Sequence, residues 1–203
     1  MLPLVETDDE LLLRMRCGDE EAFVALYRRR HGSLYRFALH MTGAPSAAED
    51  VTQEVFLALI RDDCGYDPER GSLSAYLFGI ARKLVLRHLE RSRTVFEQEL
   101  EGEEIVHPAL ATQADPIVDL MRREGIEALR KAVFALPKRY REVVILCDLE
   151  EMDYSEAAGV LGCPIGTVRS RLHRARALLL EKLRQRNDPQ PSVGGLKPAR
   201  SLI

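Results

Sequence analysis

No run of apolar residues in this chain approaches the roughly 18 that a membrane-spanning helix needs, so membrane insertion is not expected. The first ten residues are acidic, the reverse of a secretory leader. Cysteine is sparse and scattered: Cys17, Cys64, Cys147 and Cys163 form no C-x-x-C pair and have no histidine cluster nearby. That argues against a disulfide framework or a structural zinc site and for reduced thiols in a cytoplasmic protein. Strand signals are almost missing. There is also no glycine-rich phosphate loop, no nucleophile motif and no metal-ligand spacing, so neither an enzyme nor a bound cofactor or metal is expected.

Against these absences stand a chain of 203 residues, 46% apolar and 30% charged, enough to bury real cores and stay in water. The net charge of −3 argues at first sight against nucleic acid. Its distribution says otherwise. Arg82, Lys83, Arg87, Arg91 and Arg93 face Glu90 alone over residues 81–93. Arg169, Arg171, Arg174, Arg176, Lys182, Arg184 and Arg186 face Glu181 alone over 164–186. Between the two clusters, residues 97–124 hold eight acids against Arg122 and Arg123.

Apolar residues recur at three- and four-residue steps, which predicts an all-α protein. Helices are expected over 8–16, 20–41, 47–61, 73–91, 117–134, 138–149, 154–161 and 164–186. Gly43-Ala-Pro45, Gly65-Tyr-Asp-Pro68 and Gly71 supply breaks in the N-terminal half. Ser46 and Glu49 have the spacing of a capping box for the third helix. Residues 92–116 lose the periodicity and read as an acidic linker. The proline- and glycine-bearing end after 186 reads as a disordered tail. The expected division is 8–92, a linker over 93–118, a second helical domain over 119–186, and a tail over 187–203.

Residues 154–176 have the form of a helix-turn-helix. Asp153 and Glu156 could cap the first helix, Gly162 suits its left-handed end, and Pro164 suits the first turn of the next. On the second helix Ile165, Val168, Leu172, Ala175, Leu179 and Leu183 form one apolar stripe. Thr167, Ser170, Arg171 and Arg174 share another face, flanked by Arg169, His173 and Arg176. Arginine can fork onto guanine O6 and N7, and serine or threonine can bond to bases or backbone. Flanking arginines suit phosphates.

Upstream, Asp50, Gln53 and Glu54 share a polar face of the third helix, with Val51, Val55, Leu59 and Phe56 turned toward the core. By itself this could be an ordinary solvated face. The ordered series is more specific: Asp50-x-x-Gln-Glu-x-Phe56, Tyr66-Asp-Pro-Glu-Arg-Gly-Ser72, Ala75-Tyr-Leu-Phe-Gly-Ile-Ala-Arg82, Leu136-Pro-Lys-Arg-Tyr-Arg-Glu-Val143 and Gly166-Thr-Val-Arg-Ser-Arg171. Over residues 20–186 this series resembles the extracytoplasmic-function (group 4) sigma factors of bacterial RNA polymerase.

The resemblance implies two small helical domains, of sigma-2 and sigma-4 type, joined by a flexible linker. The face with Asp50, Gln53, Glu54 and Phe56 would dock on the β′ clamp helices of core polymerase, with the β flap as a further contact. Tyr66, Tyr76, Arg82, Lys83 and Arg87 would engage the −10 promoter element, where a base is flipped out as the duplex opens. Thr167, Arg169, Ser170, Arg171, Arg174 and Arg176 would engage the −35 element. An anti-sigma factor is the implied regulator. Three positions depart from the family pattern and bear on −10 base choice: Lys83 stands where Asn is frequent, Tyr76 where Trp is common, and Arg87 where Asp is frequent. Two other readings remain open on the residues alone. An autonomous helix-turn-helix regulator would leave the upstream basic cluster unexplained. An Asp/Glu hydrolase finds no supporting motif.

Overall fold

In the computed structural model, which describes residues 6–61, 65–96 and 116–187, every regular element is helical. The helices are α1 (Asp8–Arg16), α2 (Glu20–Thr42), α3 (Pro45–Ile60), α4 (Leu73–Phe96), α5 (Pro116–Phe134), α6 (Lys138–Val144), α7 (Tyr154–Leu161) and α8 (Ile165–Asn187). A 3-10 turn at Pro68–Arg70 precedes α4, and a π-helical turn at Ile145–Leu149 extends α6. The all-α expectation holds, and α1 and α7 begin and end where the periodicity puts them. Most of the expected linker, and the tail from residue 188, lie outside the described residues. Helix α4 continues to Phe96, five residues into what the sequence suggests is linker, because Leu89 packs on the core and no glycine or proline follows before Gly102.

Two expected caps are not made. Helix α3 begins at Pro45 with Ala44 before it and no side-chain cap, so Ser46 lies inside the first turn. Proline tolerates that position because its missing N–H is one the helix would leave unbonded anyway. The carbonyl of Asp153 accepts from the Ala157 N–H at 2.8 Å, but its side chain caps nothing, and Glu156 accepts a hydrogen bond from the Ser72 hydroxyl. A capping box does form at the start of α1, where Thr7 and Glu10 satisfy each other's backbone N–H groups.

In the N-terminal half, α2 is the central helix, with α1, α3 and α4 packed around it. Its inner face buries Leu26, Leu34, Phe37 and Met41, and Phe37 meets Phe78 of α4 edge-on at 5.5 Å. Asp8 ties α1 down through Arg29 at 2.8 Å and Arg30, whose Nε lies at 2.5 Å. In the C-terminal half α6, α7 and α8 form a trihelical unit around Val143, Val144, Leu161, Val168 and Leu172. The buried side chains of the two halves form one continuous core. Helix α7 lies against α4, while α5, α6 and the π turn reach α2. The described residues thus form two helical units, as the sequence suggests, packed directly on one another.

Candidate nucleic-acid interface

The C-terminal surface is built by one turn. Gly162 has φ +63°, and its N–H closes the end of α7 on the carbonyls of Ala158 and Gly159. A side chain there would meet open space, so the requirement is backbone conformation. The carbonyl of Pro164 then accepts from the N–H groups of Thr167 and Val168, which starts α8. Val168, Leu172, Ala175 and Leu179 are buried as the stripe requires. Ile165, the first residue of that stripe, is 40% exposed.

The opposite side of α8 is open. Arg169, Ser170, Arg174 and Arg176 are exposed, and Thr167 and Arg171 are half-buried. The Arg169 guanidinium lies 6.0 Å from the Tyr154 ring centroid, and Ser170 donates to the Thr167 carbonyl at 3.1 Å. Arg171 leans back, its Nη1 4.0 Å from the Cys163 sulfur. Arg174 hydrogen-bonds the Tyr140 hydroxyl and, with Arg139 stacked at 4.8 Å on that ring, holds the phenol below its usual pKa. Arg176 is paired within the fold. Its Nε and Nη2 grip Asp148 at 3.1 and 2.5 Å, which raises the arginine's pKa and ties α8 to the π turn. Burial, then Asp148, pushes the Cys147 thiol up to about 11, so it stays protonated at neutral pH.

The N-terminal surface is different in character. Lys83 and Arg87 are exposed one turn apart on α4. Tyr76, on the same helix, lies 5.5 Å from Tyr66, and both rings are partly buried. The Tyr66 hydroxyl donates to Asp9 at 2.5 Å, and burial, then that carboxylate, raises its pKa. Arg82 is engaged across the join of the two halves. It pairs with Glu142 of α6, Nε to Oε1 at 3.1 Å, where the carboxylate is buried at the join of the two halves.

On α3, Asp50, Gln53 and Glu54 are exposed together. Phe56, which the spacing turns inward and the resemblance counts with the docking face, lies in the core: it is 3% exposed and packs 4.7 Å from the Tyr27 ring and edge-on to Phe23. Leu57 at 46% and Ile60 at 53% exposure take its place beside the carboxylates. The signal for them is the unbroken apolar run 55–60. A helix apolar on all sides cannot bury every side chain against one neighbour. Among the described residues no group of three or more His, Cys, Asp or Glu could hold a metal, and no helix is long and apolar enough to cross a membrane.

An acidic-apolar face on α3, an aromatic and cationic face on α4, and a helix-turn-helix follow one another in this order. Residues 26–94 match the family description Sigma-70 region 2, and residues 126–179 match Sigma-70, region 4. The sigma factor SigC of Mycobacterium tuberculosis is 31% identical over 187 residues, 86% of this chain and 92% of that protein. The chain belongs to the extracytoplasmic-function sigma factors of the sigma-70 family. It is thus an RNA polymerase sigma factor, a protein of transcription initiation. SigE of Mycolicibacterium smegmatis is 33% identical over 169 residues, and this sigma factor spans 64% of that relative's length. Among solved structures, the sigma factor RpoE of Bartonella quintana, in complex with the anti-sigma factor NepR, superposes with a TM-score of 0.63. The two are 27% identical, and the match covers 80% of this chain and 96% of that one.

Proposed function

We propose that this sigma factor binds core RNA polymerase in the cytoplasm and gives it promoter specificity, without catalysis of its own. The observation that carries the reading is the α7–Gly162–α8 geometry, which seats one face of α8 in the core and leaves Arg169, Ser170 and Arg174 in solvent. That helix enters the major groove of the −35 duplex, where Arg174, Arg171, Ser170 and Thr167 meet base edges and Arg169 meets phosphate. Lys83 and Arg87 hold the −10 backbone, and Tyr66 with Tyr76 forms the aromatic platform for an unstacked base.

Magnitudes explain the need for a partner. Taking a base from the stack costs a few kcal/mol, and stacking it on an aromatic returns only about 1–3 kcal/mol. Two tyrosines offset a base or two, whereas opening a promoter unstacks several. The remainder comes from core polymerase, which the Asp50, Gln53, Glu54, Leu57 and Ile60 face contacts at the β′ clamp helices, with the β flap a second contact. An anti-sigma factor covering these faces is the regulator of this reading.

Run-off transcription with core polymerase over a genomic promoter library tests the proposal. Defined start sites that share −10 and −35 words are expected only when the protein is added. Tight binding of duplex operators by the protein alone, with no defined starts, would favour an autonomous helix-turn-helix regulator instead.

A further inference from the structure

We propose that the two halves clasp one another, and that Glu142 acts as an internal stand-in for promoter phosphate, occupying Arg82 until DNA displaces it. The proposal deepens the reading above, since it takes the Arg82 helix as a DNA-facing element. Polar contacts between described residues cross the join. Glu142, only 3% exposed, accepts from Arg82 at 3.1 Å. Glu150 takes a two-pronged grip from Arg36 at 3.0 and 2.8 Å. Arg141 reaches back to the Met41 carbonyl at 3.0 Å, and Ser72 donates to Glu156. The last contact pins the segment just after the Pro68–Arg70 turn onto the first helix of the helix-turn-helix.

The chemistry is that of a lock that can be opened. A guanidinium meets a carboxylate and a phosphate with the same planar fork, so Glu142 and a DNA backbone compete for one cation. Buried ion pairs add little net stability, because desolvation offsets most of their attraction, but they fix geometry. The join is therefore specific without being tight. It closes nonetheless because both halves lie on one chain, which keeps their local concentration in about the millimolar range. In the clasped form Arg82 cannot reach DNA, and α7 lies against α4, while the exposed side of α8 stays free. The protein is thus competent for duplex contact and shut for strand capture until the halves part.

The test uses the full chain and needs no knowledge of its promoters. Glu142→Lys with Glu150→Lys places a cation against Arg82 and another against Arg36. Small-angle X-ray scattering is expected to show a larger radius of gyration than wild type at unchanged helicity. The affinity for a fluorescein-labelled, random-sequence single-stranded DNA should rise by roughly fivefold or more over a charge-matched control, Glu20→Lys with Glu21→Lys on the exposed start of α2, a common size for intramolecular coupling. The exchange Arg36→Glu with Glu150→Arg, which rebuilds one pair in reverse, should stay compact. A wild-type chain already extended in solution, or a double variant as compact as wild type, overturns the clasp. Expansion without any gain in single-strand affinity overturns the gating role and leaves the promoter assignment to the transcription assay, which reads it independently.

Discussion

Arg82 and Arg174 are the same residue type, each on a long amphipathic helix, each expected at DNA, yet the fold treats them differently. Arg174 stands exposed on an open face, beside the Tyr140 hydroxyl. Arg82 is held by a buried carboxylate sixty positions away. On the proposed reading, the duplex-reading surface is finished in the folded chain, whereas the strand-opening surface is partly covered by the other half. Reading a double helix needs a rigid shape presented in advance. Seizing a single strand needs a cationic surface that would otherwise attract any nucleic acid nearby. A cover on the second and not the first follows from that asymmetry.

The largest expected effect concerns whether the halves can be treated apart at all. Leu172→Ala empties a buried site under α8 and should cost about 2–5 kcal/mol. With a join that opens without unfolding either half, calorimetry is expected to show the transition of the C-terminal half shifted down and that of the N-terminal half nearly unmoved; one shifted transition for the whole chain would make the halves a single cooperative unit. Next, Arg174→Ala should weaken −35 recognition by about 1–3 kcal/mol, and Arg171→Ala by less, since its guanidinium already leans on Cys163. Equal losses in a promoter-binding titration would contradict the difference drawn between them.

Smaller still, Asp50→Lys with Glu54→Lys should reduce capture of core polymerase by about tenfold, roughly 1.4 kcal/mol, while circular dichroism stays unchanged. Undiminished capture in a pull-down would remove α3 from the docking surface. The smallest effect separates two neighbours on α8. Arg169→Ala should lower the slope of log affinity against log salt by about one, the signature of a lost phosphate contact. Arg176→Ala should leave that slope alone and cost at most about 1 kcal/mol of stability, because its pair with Asp148 is exposed.

The order of helices was legible from periodicity because each buries one stripe, and Gly162 announced its turn because only a left-handed residue ends α7 that way. Caps were less legible. Ser46 and Asp153 have capping chemistry, but Pro45 starts α3 one residue ahead of Ser46, and Glu156 is drawn to Ser72 across the join. Side-chain partners are hardest to read where they lie far along the chain. Nothing near Arg82 or Arg176 in the sequence foretells Glu142 or Asp148, whereas helical spacing alone turns Phe56 inward, where Tyr27 and Phe23 surround it. Conversely, Leu57 and Ile60 were hidden by their own neighbours, because an apolar run does not say which members find cover.

The widened turn at Ile145–Leu149, where the Glu150 N–H bonds five residues back to the Ile145 carbonyl, has a consequence for inheritance. One residue more or less in a helix rotates everything beyond it by about 100°. Asp148 grips α8 and Glu150 grips α2 from that single loosened coil. Losing one codon there would swing both carboxylates off their arginines together, so a minimal deletion in a stretch of five residues would be felt at opposite ends of the molecule.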